Sequence, residues 1–176
     1  MNSYYCDDNC CIYKVIPYNT KSVNCDYQKN KDMKIKKAGS LIYDPSSRKV
    51  LLVQSRGHMW GCPKGTIKEM ETPLECAIRE VKEETGIDIE EKSLSDHITI
   101  NSKCQYYFLK MKENNVDIQN HIVDNDANGI GWFNVDCLEK LVNSGFININ
   151  QNCRILIKKI FNKDIPFNKE NSSSLR

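Results

Sequence analysis

Residues 65–87 read Gly-Thr-Ile-Lys-Glu-Met-Glu-Thr-Pro-Leu-Glu-Cys-Ala-Ile-Arg-Glu-Val-Lys-Glu-Glu-Thr-Gly-Ile, and the rest of the chain can be understood outward from them. Thr72 is a natural N-cap, Pro73 suits the first helical position, and Glu75 completes a capping box with Thr72. Gly86 is a left-handed stop. Together they predict a helix over residues 73–85. At about 100° per residue, Leu74, Ala77, Ile78, Val81 and Thr85 fall on one stripe. Glu80, Glu83 and Glu84 fall within an arc of about 100° on a different side. The stripe is expected to bury and the glutamates to stay out of the core.

Glu80 and Glu84 stand four apart, a like-charge pairing that costs a helix roughly 0.2–0.5 kcal/mol. Arg79 can pair with Glu83, yet one guanidinium cannot neutralise three carboxylates. A hard divalent cation with oxygen ligands is the natural complement, and magnesium uses a few carboxylates together with substrate phosphates. Three glutamates by themselves read more readily as a solvated acidic face. The preceding run, Met59-Trp60-Gly61-Cys62-Pro63-Lys64-Gly65, weighs against that: two glycines and a proline fix a short irregular path after an apolar strand, able to bring carbonyls and a lysine near the helix.

On these residues the stretch 65–87 resembles a complete Nudix box, with no position of that family's pattern missing. The resemblance implies an α/β fold, an α/β/α sandwich around a mixed sheet. It also implies hydrolysis of a nucleoside diphosphate linked to another group, with Mg2+ or Mn2+ as cofactor. It makes Glu80, Glu83 and Glu84 metal ligands, one of them helping to deprotonate water, and the carbonyl of Lys64 a further ligand. Arg79 would orient the carboxylates, and Glu71 would sit at the edge of the site, tied to the helix. Such metals neutralise the diphosphate, polarise a phosphorus and lower the pKa of the attacking water.

Family members often add an acidic ligand from a distant loop, for which Asp124 and Asp126 are the candidates. Asp126 is favoured because it lies six residues before Trp132, a spacing similar to that of the catalytic acid in the decapping branch. That branch usually has glutamate there, and a turn-forming role is the alternative for both aspartates.

Selectivity lies outside the box. Residues 60–67 and 75–81 resemble the catalytic subunit of the mRNA decapping enzyme, and the similarity extends over about residues 35–133. This implies capped RNA as partner and release of m7GDP from RNA left with a 5′ monophosphate. Lys64 would then also contact phosphate. Apart from the resemblance, Trp60 beside the box and Tyr106-Tyr107-Phe108 on an expected strand could stack on a base or cap. Arg154, Lys158, Lys159 and Lys163 leave a basic strip on a final helix whose Ile155, Leu156 and Ile160 face the core. Lys29, Lys31, Lys34, Lys36 and Lys37 form a second basic run. The decapping subunit carries a helical regulatory domain that some 33 polar residues cannot build, so a stand-alone decapping hydrolase of the kind seen among large DNA viruses is the better match. A diadenosine polyphosphate or diphosphoinositol polyphosphate hydrolase is the alternative, and a non-catalytic Nudix module binding nucleotide or RNA a remoter one.

The whole chain of 176 residues, 40% hydrophobic, is expected to form one core. Lys plus Arg number 25 against 23 Asp plus Glu, a net +2 that selects no partner. No run of 18 apolar residues and no signal-peptide layout occurs, so an intracellular, cytoplasmic protein without membrane contact is expected. Nine cysteines suit reduced thiols rather than a disulfide framework. Cys6, Cys10, Cys11 and Cys25 could bind zinc, but they lack paired Cys-x-x-Cys knuckles, so free thiols in an arm are expected instead.

Residues 1–33 read as a polar, Cys-containing extension with one strand near 11–16, residues 34–165 as the Nudix domain, and residues 166–176 as a flexible tail. Strands are expected at 34–43, 50–54, 94–101, 104–112 and 130–135. Asp44-Pro45-Ser46-Ser47 reads as a turn, Asp136 as the cap of a helix to about 143, and a last helix as spanning 150–162. Phe108 and Trp132 are expected in the core, and His58, His97 and His121 carry no metal spacing.

Overall fold

The computed structural model describes residues 3–18, 34–55, 58–122 and 125–166. In chain order the strands are β1 (Ser3–Tyr5), β2 (Ile12–Val15), β3 (Lys37–Asp44), β4 (Lys49–Ser55), β5 (Met59–Gly61) and β6 (Lys64–Thr66). Helix α1 (Pro73–Thr85) follows, then β7 (Ser95–Ile100), β8 (Cys104–Lys110) and β9 (Ala127–Asn134). The described chain ends with α2 (Val135–Asn143), β10 (Asn148–Ile149) and α3 (Gln151–Phe161). The main sheet runs β1-β2-β9-β4-β3-β8-β7, with β6 added to β3, β5 to β4 and β10 to β5. The β3–β8 and β5–β10 pairs are parallel and the others antiparallel, so the sheet is mixed.

Strand alternation divides the core into two faces. Leu41, Tyr43, Val50, Leu52 and Phe133 pack against α2 and α3 through Leu138, Val142, Leu156 and Ile157. Their neighbours along the same strands, Ile42, Leu51, Val53, Ile130 and Trp132, form the opposite face with Val81 of α1, Val116 and Ile118. A mixed sheet between α1 on one side and α2 with α3 on the other is the α/β sandwich expected. Among the described residues no helix is long and apolar enough to cross a membrane.

The predicted box helix is observed over its full span. Thr72 Oγ1 accepts from the Glu75 N–H at 3.2 Å, and Glu75 Oε2 accepts from the Thr72 N–H at 2.8 Å. Gly86 adopts φ 75° and donates its N–H to the Lys82 carbonyl. The turn after β3 is built on buried Asp44, which accepts from the Ser46 N–H and hydroxyl at 2.8 and 2.6 Å.

Other expectations need correction. The strand expected near 11–16 is present as β2, which pairs along β9 from Ile12 opposite Trp132 to Val15 opposite Gly129, but it is not alone in the extension, since β1 pairs with it and residues 3–15 join the sheet. Asn134, not Asp136, caps α2, accepting from the N–H groups of Asp136 and Cys137; Asp136 instead pairs with Arg48 at 2.9 Å. In α3, Leu156 and Ile157 are buried while Ile155 is exposed, because the helix is turned about one residue from the expected phase. Ile160 packs at the core edge as expected. Lys29, Lys31 and the tail after residue 166 lie outside the described residues.

Candidate active site

The site is assembled where β6 crosses the face of α1. Gly65 is needed here, since a Cβ at this position would collide with the carboxylate of Glu80. One residue earlier, the Lys64 N–H donates to Glu84 Oε2 at 2.9 Å. The β6 backbone therefore touches two of the three box glutamates, which is why its path must be so narrowly specified.

Arg79 ties the remaining carboxylates together. Its Nε and Nη2 fork onto Glu71 at 2.7 and 2.9 Å, and its Nη1 donates to Glu80 at 2.7 Å and Glu83 at 2.9 Å. Nη2 also reaches the Thr66 carbonyl at 3.2 Å. Glu71 is fastened a second time by the Lys68 N–H at 2.9 Å, and the Lys68 ammonium lies 3.7 Å from Glu83. A side chain holding three carboxylates can change no rotamer without breaking several charge-assisted bonds, so Arg79 fixes the geometry of the group.

The electrostatics are unbalanced. Burial raises the pKa of Glu80, an effect that Arg79 opposes and Glu83 reinforces. Glu84, contrary to the expectation that all three glutamates avoid the core, is only 6% exposed. Its burial pushes its pKa well above the ordinary carboxylate range; repulsion from Glu80 and Asp126 adds to this, and Lys64 partly counters it. For Glu71 burial works upward, but the Arg79 and Lys68 bonds win and hold its pKa below the ordinary value. Burial opposes ionisation of Arg79 too, and the contacts to Glu71 and Glu80 more than offset it, keeping the guanidinium charged. Glu71, Glu80 and Glu83 on Arg79, with buried Glu84 beside them and only Lys64 and Lys68 at the margin, leave an excess of negative oxygen, and a hard divalent cation suits that donor set.

Asp126 is exposed on the segment leading into β9, close enough for its charge to act on Glu84. Asp124 lies outside the described residues. The turn there belongs to Asn125, which the sequence reading did not single out. Its Oδ1 accepts from the Ala127 N–H at 2.8 Å, while its Nδ2 donates to the carbonyls of Glu83 at 2.9 Å and Gln119 at 3.1 Å. Asn125 thus fastens the Asp126 segment to the end of α1; the signal available in sequence was an Asn two residues before a strand.

Trp60 does not fit its expected role. It is 1% exposed, with its ring 4.8 Å from Phe133 and 5.8 Å from Tyr13, so it presents no face to a base. Trp132 is buried as expected, its Nε1 donating to the Asn114 carbonyl at 3.0 Å, and Phe108 packs at the core edge. On α3, Lys158 and Lys159 are exposed and Arg154 is half-buried. Lys158 pairs with Asp164 and Lys163 with Glu139. Among the described residues Lys158 and Lys159 take no part in the carboxylate cluster.

A capped helix bearing this carboxylate group, set against a glycine-bearing strand on a mixed sheet, defines a site built to hold a divalent cation. Residues 33–149 match the NUDIX domain family. The 111R protein of Invertebrate iridescent virus 3, named as a hydrolase, is 32% identical over 140 residues, 78% of this chain and 80% of that protein. The m7GpppN-mRNA hydrolase dcap-2 of Caenorhabditis elegans is 34% identical over 108 residues, 57% of this chain but 14% of that much longer protein. The MutT NUDIX hydrolase of Burkholderia pseudomallei superposes with a TM-score of 0.53 at 20% identity, covering 70% of this chain and 95% of its own. The chain belongs to the Nudix hydrolase family.

Proposed function

We propose that this Nudix hydrolase cleaves the 5′ cap of mRNA, releasing m7GDP and RNA with a 5′ monophosphate. The observation that carries the substrate is the identity with the nematode cap hydrolase, which runs through more than half of this chain. Glu80, Glu83 and Glu84, with the Lys64 carbonyl and Asp126, would hold Mg2+ or Mn2+. When bound, the cation neutralises the diphosphate and makes water acidic enough to attack phosphorus.

The chain's own part is positional and electrostatic. Arg79 keeps Glu80 and Glu83 on one side of the site, and the Lys64 N–H keeps Glu84 turned toward it. Glu80, its proton affinity raised by burial, is suited to accept the proton of the attacking water. The Lys64 ammonium supplies a point charge for phosphate. RNA beyond the cap would run along the basic side of α3.

Product analysis tests the reading directly. Protein and Mn2+ would be incubated separately with cap-labelled RNA, diadenosine tetraphosphate and a diphosphoinositol polyphosphate. Capped RNA is expected to give m7GDP as the fastest reaction. Faster turnover of either small substrate, with no m7GDP formed, would overturn the assignment while leaving the family intact.

A further inference from the structure

A second cluster of ligating side chains lies on the other side of the sheet from the carboxylates. Cys6, Cys10 and Cys11 sit in or beside the turn between β1 and β2, and Cys137 in the first turn of α2. Their four Sγ atoms all lie within 4.8 Å of one another. None is in a disulfide, and Cys6, Cys11 and Cys137 are buried. From these four sulfurs we propose that the chain carries a structural zinc site, Cys6-Cys10-Cys11-Cys137, separate from the hydrolytic centre.

The spacing supports it. Zinc bound by four thiolates at about 2.3 Å requires sulfur–sulfur separations of about 3.8 Å. Cys6 and Cys10 are 3.4 Å apart, and Cys10 and Cys11 are 3.8 Å apart. Adjacent cysteines reach one point because the turn is tight: Asn9 takes φ 53° and donates its N–H to the Cys6 carbonyl at 2.9 Å.

Burial raises the thiol pKa of Cys10, Cys11 and Cys137, whereas at Cys6 burial is outweighed by the contacts from Cys11, Cys10 and Cys137, which lower it to about 7; two backbone donors are nevertheless aimed at the sulfurs. The Cys11 N–H points at Cys6 Sγ and the Asn134 N–H at Cys11 Sγ, each at 3.3 Å. Cys137 occupies the N-terminal turn of α2, where the helix dipole favours an anion. Outside the cluster, Lys140 bonds to Asp8 of the same turn at 3.0 Å, adding a cation beside it. Asp7, Asp8, Cys6, Cys137 and Lys140 share the lining of one surface cleft, which gives an ion a route in. Small apolar packing, the ordinary role of buried cysteine, requires neither the convergence of four sulfurs nor the aimed N–H donors.

Three of the four ligands precede residue 33, where the family match begins, and Cys137 lies within it, so the site would join the segment ahead of the matched domain to that domain. Its effect would be to pin the β1–β2 hairpin to α2 across the end of β9. On binding, each sulfur still protonated releases its proton.

The test is metal content in the full-length protein, purified anaerobically and exchanged into Mg2+ buffer without chelator. About one equivalent of zinc per chain is expected to remain. Cobalt reconstitution should give the ultraviolet sulfur-to-metal charge-transfer band, which carboxylate ligands cannot produce. Cys10→Ser and Cys137→Ser should lose both signals, and Cys104→Ser should keep them. Unmodified protein with no retained zinc and no thiolate–cobalt band, or with a disulfide joining Cys6 to Cys10, overturns the proposal; because that measurement uses the native sequence, misfolding of a variant cannot obscure it.

Discussion

Glu84 is the residue at which folding and chemistry are most opposed. It is buried, repelled by Glu80 and Asp126, and holds its proton more tightly in the fold than in the unfolded chain. The folded state therefore binds more protons than the unfolded state once pH exceeds the ordinary glutamate value of 4.5, and stability falls as pH rises through that window. Glu71 has the opposite sign, since its depressed pKa lends stability that is lost only as pH falls below 4.5. In Glu84→Gln the first effect disappears. Without added divalent cation this variant should be more stable than the parent, by a margin that widens as pH rises above 4.5. Its kcat should nevertheless fall about 10²–10⁴-fold. Urea unfolding across pH, alongside kcat, checks both, and parallel stability curves for the two proteins would show that Glu84 carries no such strain.

At the scale of elements, α1 is held by its ends as much as by its packing. Thr72→Ala removes the capping-box acceptor and should cost about 1 kcal/mol. Gly86→Ala forces a left-handed Cβ and should cost about 1–2 kcal/mol; the Gln119 amide lies where that Cβ would go, but as the end of a flexible side chain it can move aside, so the backbone conformation sets the cost. Shifts in the urea midpoint at constant m would measure both. These caps are local chemistry, and for that reason α1 could be placed to the residue from the sequence. Strands β5, β6 and β10, of two or three residues, could not, because periodicity has no length over which to show itself. The phase of α3 is hidden for another reason: Ile155 and Ile157 are equally apolar, and only the sheet beneath decides which is buried. Glu84 and Trp60 failed in the same way, the first covered by the β6 backbone and the second taken up between Phe133 and Tyr13. What remained legible in the site was the set Glu71, Arg79, Glu80 and Glu83, whose spacing along α1 and the loop before it forces them together.

For the whole molecule, a net charge of +2 is too small to steer a polyanion from a distance, so any grip on RNA must come from local cations. Arg154, Lys158, Lys159 and Lys163 are the cations of α3 and its exit, and Lys158 and Lys163 are engaged with Asp164 and Glu139. Exposed pairs of this kind are worth about 0–1 kcal/mol, so a phosphate can displace them at small cost. Each contact to single-stranded RNA contributes about −0.7 to the slope of log K against log salt. Four such contacts bound the slope contributed by this face at about −3. The double variant Lys158→Ala/Lys159→Ala removes two and should flatten the slope by about 1.4, weakening binding alike for RNAs of different sequence. Neither lysine touches the carboxylate cluster, so hydrolysis of a cap dinucleotide with no RNA body should continue at the parental rate. Fluorescence anisotropy across a salt series, with cap-dinucleotide turnover measured in parallel, separates the two quantities. An unchanged slope in the double variant would mean that the RNA path lies elsewhere on the molecule.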